Sequence, residues 1–487
     1  MPIQSISRSK ILPVLWGLIT INLLFLLYEL FFSSTMICDD IEHLRVAYYI
    51  SLGDVPYRDF FEHHHPLLWY VLLPLIKFLP LSTTLGVYTG RLLSLLVSLG
   101  AGYYFYRIMR KFIGGKTVAL LAIVIYFTGL PSWYALFNIK PDAYMRLFYF
   151  MGLYYLFSYF RYQKRTYLCI CGVAWMVGFL FLQTIVLDVL PLILPIGWFL
   201  YRHPAKIKDF ICAAVVPLVI LTVFAGILIY SNTWNAYYET NWLFNSKLSD
   251  FLSKISQPKF LFLFIDIIVA GILGTIYFLQ KDKRNIYCLS LCLLFVTELL
   301  QRIFWVGIFS QYYVMLFAFA GMVAAPAVYK LWQKHHIVFW LAVFFAGVHI
   351  LANAVSLRKA DFFTQAGVYL ERKNVPLSQT WGTNCGIYQP RRGLYYWAMV
   401  DVEALHNILF RQDKSYNLMQ ILLSDDIKYY CPASLSYQKK FLIRLSKYLN
   451  MDAQQKEILQ QHVLDQAFDE NYDNLLPTLY QKVTHEH

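Results

Sequence analysis

Apolar residues arrive along this chain in long runs separated by short polar stretches. An α-helix needs about 20 mainly apolar residues to cross a hydrocarbon core. Runs of that kind cover residues 11–32, 86–106, 117–136, 143–160, 166–183, 185–201, 209–230, 260–280, 286–306, 311–329 and 337–356, which predicts eleven spans. The first run is long for a signal-peptide core and lacks a small-x-small cleavage pattern, so it reads as a retained span. A further apolar stretch, 66–80, holds Pro66, Pro74 and Pro80 and is short, which predicts an interfacial or re-entrant helix. Residues 231–258 alternate polar and aromatic positions, as in NTWNAYYETNW, and read as an amphipathic segment at the membrane surface.

From about Leu357 the pattern changes. Charges become frequent and nearly balanced, and no further run is long enough to span. Gly382, Gly386 and Gly393 punctuate short β-like runs (CGIYQ, LYYWAMV), NLMQILLSDDIKYYC reads as helix, turn and strand, and residues 450–487 read as helical. A tail of about 130 residues suffices for one small domain. The predicted architecture is an all-α polytopic membrane domain over 1–356, with an outer loop at 33–85. A small C-terminal α/β domain follows over 357–487.

Composition strengthens the membrane reading. Hydrophobic residues are 58% of 487, charged ones 15%, and the mean hydropathy is +0.48. Soluble chains carry about 25% charged residues. The formal charge of +13 falls in clusters between apolar runs: Arg107-Arg110-Lys111-Lys116, Arg161-Lys164-Arg165, Arg202-Lys206-Lys208, Lys281-Lys283-Arg284 and Lys330-Lys334. Every second connecting loop is basic, which is the positive-inside pattern of cytoplasmic loops. The expected topology has the N-terminus in the cytoplasm and residues 33–85, 132–142, 231–258 and 357–487 outside. That places the chain in the plasma membrane (the inner membrane of a bacterium), among membrane lipids. A nucleic-acid partner would need a continuous basic stripe interleaved with exposed aromatics, and none is present.

The first outer loop, CDDIEHLRVAYYISLGDVPYRDFFEHHHPLLWY, crowds carboxylates and histidines just past the first span. Asp39 and Asp40 stand where the span meets water. They are either solvated loop carboxylates ending a helix, or one of them is a general base whose proton affinity is set by partial burial. Intramembrane acids are functional by default, which favours the second reading. In the ninth run Glu298 and Arg302 are four apart and can share a helix face. They are either a paired couple that permits insertion, or Arg302 faces a ligand's phosphate. Asp188, Asp266 and His349 are isolated intramembrane polar groups with no assigned role.

The pattern Asp-Asp-x-x-His-x-x-x-Ala, then Gly-Asp-x-Pro-Tyr-Arg-Asp-Phe, then His-Pro-Leu resembles the first outer loop of GT-C glycosyltransferases. It is nearest in style to the protein O-mannosyltransferase-like and lipid A aminoarabinose transferase-like families. Arg91-Leu-Leu-Ser in the second span, Lys140-Pro-Asp142 and Gln311-Tyr-Tyr are similar to features of the same group, so the resemblance runs over about residues 11–330. It implies a GT-C-like fold and an inverting transfer of a sugar from a polyprenyl-phosphate donor to an acceptor hydroxyl or phosphate at the outer face. The acceptor would be a lipid, glycan or protein. Counted back from Ala47, Asp39 matches the family's base, with Asp40 in the neighbouring acidic place. Asp142 matches a second carboxylate at the outer end of the third span. The family's acidic-Lys-Pro element is replaced here by Glu62-His63-His64-His65-Pro66.

Such a transfer needs donors or cations in place for the departing phosphate. Candidates for donor-phosphate or substrate contacts are Glu62, His64, His65, Arg302, Tyr312 and Tyr313. The histidine run also admits a metal site with Asp39 or Glu62, but successive side chains of a regular element diverge, so no cofactor is required and a divalent metal is the rival. A secondary transporter or lipid flippase is the alternative function. It predicts repeated halves and mid-membrane broken helices, whereas here the acids gather at one face. A receptor or scaffold using the outer domain is a third class. Of eight cysteines, Cys38, Cys385 and Cys431 fall outside, and a Cys385–Cys431 disulfide is expected in that oxidising compartment.

Overall fold

The computed structural model describes residues 8–32, 38–129, 135–248, 264–281, 284–304, 310–356, 369–382, 386–389, 391, 426–431, 472–476 and 479–482. Two compact units emerge, one from residues 1–32, 92–224 and 256–358, the other from 33–91, 225–255 and 359–487.

The first unit is a helical membrane bundle. Its helices are α1 (Arg8–Phe32), the later part of α4 (Thr83–Ile108), α5 (Gly115–Thr128), α6 (Pro141–Tyr162), α7 (Arg165–Phe181), α8 (Ile185–Arg202), most of α9 (Ile207–Tyr230), α11 (Ile265–Lys281), α12 (Ile286–Phe304), α13 (Val314–Lys334) and α14 (His336–Ser356). Each expected interval therefore holds a helix. Among the described residues, however, five segments are long and apolar enough to cross a membrane: Ile11–Phe31, Ile185–Arg202, Pro204–Tyr230, Ile286–Phe304 and Val314–Lys334. This is fewer than the eleven expected from hydropathy. Several of the others are shorter, as with α5 and α7, or carry charges, as α6 does with Asp142, Arg146 and Arg161.

Helix α13 forms the centre of the bundle, with Val314–Ala325 buried without interruption, and it packs against α5, α11, α12 and α14. Small residues permit the closest approaches. A Cβ on Gly274 of α11 would lie 2.3 Å from the Val323 carbonyl oxygen, so that crossing excludes any larger residue. Two of the intramembrane polar groups pair: His349 Nε2 and the Asp266 carboxylate are 3.0 Å apart, joining α14 to α11. Between α4 and α5 the chain forms a π-helical turn, Met109–Gly114.

The second unit contains α2 (Cys38–Ser51), α3 (Leu67–Phe78), the start of α4, and α10 (Trp234–Tyr238) running into a π-helical turn, Glu239–Phe244. Helix α3 is short, where a short interfacial or re-entrant helix was expected, and α10 falls within the segment expected to be amphipathic. Its described C-terminal portion carries a four-stranded sheet in the order β1-β2-β4-β3: β1 (Thr380–Trp381), β2 (Tyr429–Tyr430), β3 (Tyr472–Leu476) and β4 (Leu479–Lys482). β1 and β2 are parallel; β4 pairs antiparallel with β2 and with β3.

The helix expected over 450–487 is corrected for its described part. Asp473 and Asn474 are poor helix formers and Pro477 stops a helix, so β3 and β4 form a hairpin instead. The CGIYQ run also differs, since its described residues Gly386–Gln389 follow β1 without pairing in a strand. All of LYYWAMV and the helical part of NLMQILLSDD lie outside the described residues. Cys431 is disulfide-bonded, and its expected partner Cys385 lies outside the described residues.

Candidate active site

Helix α2 builds the site because its polar residues fall on more than one face. Asp39 and Asp40 occupy its first turn, where the helix dipole favours negative charge. Their environments are unlike. Asp40 is 0% exposed, and its Oδ2 accepts from Arg91 Nε (3.0 Å) and Nη2 (2.7 Å), with Arg91 itself 1% exposed. Asp39 is half-buried, and its charge acts on His63. Asp40 is thus committed to a buried ion pair, whereas Asp39 keeps partial exposure.

One and two turns further along α2 lie Glu42, His43 and Arg45, all buried. Arg45 donates from Nε to the Gly386 carbonyl (3.2 Å) and from Nη2 to the Gly382 carbonyl (2.9 Å). Both glycines have φ in the left-handed region, at +129° for Gly382 and +123° for Gly386, so a side chain at either would strain the acceptor loop. Thr83 adds a second tie: its backbone N–H donates to Glu371 (2.7 Å), and its hydroxyl accepts from the Ile387 N–H (3.1 Å). Arg391 adds a third by pairing with Asp54 at 3.0 Å.

The histidine run is held from several sides. The Glu62 carboxylate is 1% exposed and accepts from the backbone N–H groups of His63 (2.8 Å) and His64 (3.2 Å). It also lies 2.8 Å from His64 Nδ1, and Glu42 stands 3.4 Å from the same nitrogen. Tyr57, at φ +69°, donates its hydroxyl to the His64 carbonyl (2.6 Å). Asn245 donates to the His63 carbonyl (2.8 Å), and Asn241, with its amide nitrogen toward the loop, donates to the His64 carbonyl (3.0 Å). His65 is fully buried with Nε2 3.1 Å from the Tyr237 hydroxyl. These contacts explain why residues 225–255 and 33–91 fold into one unit.

Electrostatics separate the three imidazoles. Burial, with the charge of His64 second, lowers His63 and His65 to about 3 each. Both are therefore neutral at pH 7, and His65 acts as an uncharged strut rather than a cation. Burial pushes Glu62 up, but the hydrogen bond and charge of His64 outweigh it and bring the carboxyl down to about 2. His64 stands between two carboxylates, Glu62 at 2.8 Å and Glu42 at 3.4 Å from its Nδ1.

Two groups have metal-ligand character: Glu42–His43–His64 and Glu62–His63–His64 each bring one donor atom per residue within 4.8 Å of the others. A divalent ion is compatible with that spacing but not needed to hold it. Trp69 Nε1 donates to His43 Nδ1 (3.3 Å), and Glu62 already accepts from two backbone N–H groups.

The remaining expected site residues belong to the membrane unit. Asp142 is half-buried in the first turn of α6, behind Pro141 at the helix start. Arg302 donates to Glu298 (3.3 Å) and to Gln301 (3.2 Å), so the expected pairing on α12 is present. Among the described residues the buried Arg302 Nε has no hydrogen-bond partner. Tyr312 is exposed and Tyr313 buried, on the 3-10 turn Ser310–Tyr313 ahead of α13. Sequence reading missed Glu42, Arg45, Tyr237 and Asn245. A polar residue every third or fourth position along α2 was the available signal for the first two.

Residues 64–230, about a third of the chain, match the family model described as dolichyl-phosphate-mannose-protein mannosyltransferase. No curated protein matches the sequence. Among solved structures, the chain is similar to ArnT from Cupriavidus metallidurans bound to undecaprenyl phosphate. The two are 15% identical, with 76% of this chain and 73% of that one covered and a TM-score of 0.49. It is also similar to the apo oligosaccharyltransferase of Archaeoglobus fulgidus, at 12% identity, 93% and 73% coverage and a TM-score of 0.48. The archaeal oligosaccharyltransferase AglB of the same organism, in complex with an inhibitory peptide and a dolichol-phosphate, covers 99% of this chain and 75% of its own at 12% identity and a TM-score of 0.47.

Proposed function

We propose that this chain is an inverting GT-C-type glycosyltransferase that takes a sugar from a polyprenyl-phosphate donor at the outer face of the membrane. The observation that carries the reading is the division of labour between adjacent carboxylates. Asp40 is fully buried against Arg91, while Asp39 is partly exposed and its charge acts on His63. The family match over residues 64–230 supports the substrate class. A cytoplasmic N-terminus and an extracytoplasmic domain over 357–487 complete the proposed topology.

In this reading the acceptor is a hydroxyl on a lipid, glycan or protein. Asp39 takes its proton as the oxygen attacks the anomeric carbon from the side opposite the phosphate. The carbon–oxygen bond to phosphate breaks in the same displacement, so the configuration inverts without a sugar–enzyme intermediate. The polyprenyl phosphate leaves with the bonding electrons, and His64 and Arg302 are the groups assigned to meet its charge. Tyr312 and Tyr313 are assigned to the same donor, and Asp142 to positioning the acceptor or sugar.

The test is the initial transfer rate with saturating lipid donor, per folded molecule, for Asp39→Asn. Asn keeps shape and a hydrogen-bonding oxygen but cannot take the proton. Loss of a general base lowers the rate about 10²–10⁴-fold. Near-normal turnover in this variant rules out Asp39 as the base. Counterflow of a solute without sugar transfer would instead favour the transporter alternative.

A further inference from the structure

At the end of the membrane bundle marked by basic loops, three cations form no salt bridge among the described residues. Arg107 closes α4, Lys111 lies on the π-helical turn, and Arg161 lies in the last turn of α6. Arg107 Nη2 and Lys111 Nζ both donate to the Tyr154 hydroxyl, at 3.1 and 3.0 Å. Two positive groups therefore sit within about 6 Å of each other on one neutral oxygen. Arg161 reaches the same turn by donating to the Lys111 carbonyl (3.1 Å). Among the described residues none of these three forms a salt bridge with Asp or Glu. Aromatic faces hold them instead: Lys111 Nζ lies 4.9 Å from the Tyr154 ring and 4.8 Å from that of Tyr162, and the Arg107 guanidinium lies 5.4 Å from the Tyr103 and Tyr154 rings.

Like charges gathered without a counter-charge repel one another. Cation–π contacts and a phenol offset this only partly, so the arrangement is set up for an anion. What the anion belongs to follows from the helix that leads to it. Leu96, Leu99 and Tyr103 are exposed at spacings of three and four residues, and Arg107 continues the same stripe. An apolar strip about two turns long thus runs through the hydrocarbon layer and ends at the cation cluster. That is the shape of an acyl chain joined to a charged head group.

We propose that this cluster binds the phosphate head group of an anionic phospholipid in the leaflet facing the basic loops, with an acyl chain along Leu96 and Leu99. Basic pockets between helices at this depth suit such head groups. The π-helical turn has a role here, because its extra residue brings Lys111 round to the Tyr154 hydroxyl beside Arg107. The site is independent of the transfer chemistry at α2.

The test uses full-length protein in nanodiscs of phosphatidylcholine with a minor fraction of phosphatidylglycerol. Retained lipid is counted by native mass spectrometry after release. The wild type is expected to keep phosphatidylglycerol in preference to phosphatidylcholine. Arg107→Gln/Lys111→Gln is expected to weaken that retention about twenty-five-fold, roughly fivefold for each cation lost. Tyr154→Phe, a change less disturbing to folding, should weaken it several-fold. Soluble glycerol phosphate at millimolar concentration should leave the lipid in place. Equal retention of both lipids by the wild type overturns the proposal without recourse to any variant. Unchanged retention in a folded double variant overturns it too, and displacement by glycerol phosphate alone would identify a free-phosphate site instead.

Discussion

The Asp40–Arg91 pair offers the sharpest separation of architecture from chemistry, because one substitution at each of two adjacent carboxylates should have opposite effects. Asp40 and Arg91 are buried, 2.7 Å apart at the closest atoms. Two unit charges about 4 Å apart in an effective dielectric near 20 attract by about 4 kcal/mol. Removing one partner of a buried pair costs about 3–5 kcal/mol, because the other charge stays buried without compensation. Asp40→Asn retains an oxygen near the guanidinium and should fall at the lower end, about 3 kcal/mol; Arg91→Gln should fall higher. The double variant buries no charge and should lose no more than either single one, leaving a coupling at least as large as the Arg91→Gln loss, about 4–5 kcal/mol. Unfolding by SDS in mixed micelles, followed by tryptophan fluorescence, measures all four proteins. The rate per folded molecule should stay within about tenfold of wild type in Asp40→Asn, since loss of a general base costs at least about 10²-fold. Additive losses, or an Asp40→Asn protein as stable as the wild type, would refute the ion-pair account. A stable but inactive Asp40→Asn would move the base to that position.

Acid should destabilise the second unit in two stages. His63 and His65 have folded-state values near 3 against an ordinary 6.5, so the unfolded chain takes protons that the folded chain refuses. Their contribution is complete above pH 6.5 and is lost as pH falls toward 3, at about 1.4 kcal/mol per pH unit for each. His65→Gln should halve the slope between pH 6 and 5, and an unchanged slope would contradict the assignment. Glu62, held near 2 against an ordinary 4.5, adds a loss below pH 4.5, which Glu62→Gln should remove from the denaturation profile. Transfer activity should survive exhaustive chelation, because the His63–His65 turn is held by hydrogen bonds; a loss restored by a divalent ion would reverse this. A cytoplasm-specific reporter fused after His487 should be silent, and robust activity would invert the proposed topology.

The helices were legible because a membrane demands length and apolarity, which a single sequence displays directly. Even so, α5 and α7 are too short to count as independent spans, a shortfall that hydropathy windows pass over. The crowding of acids and histidines at the start of the first outer loop also marked the stretch in which Glu42, Glu62 and His64 come together. What could not be read was pairing at a distance. Arg91 looked like part of a second-span motif, yet its partner lies 51 residues earlier. His65 looked like a cation near a phosphate, and only the packing of Tyr237 against it reveals a buried neutral ring. The C-terminal hairpin was misread because LLPTLYQ mixes helix formers with a turn proline, and a short segment gives periodicity too little length to decide.

The ties from Arg45 to Gly382 and Gly386 have a temporal meaning. Their partners are separated by 337 and 341 residues of chain. At about 5–20 residues per second, synthesis takes roughly 17–70 s to get from one to the other. In the proposed topology α2 reaches the far side of the membrane early, and the carbonyls that seat its arginine are made only after all the spans. Maturation of the site is therefore a late event in biogenesis, separable from insertion. Chains stopped ahead of Gly382 should enter the bilayer normally and fail afterwards, at assembly of the first outer loop.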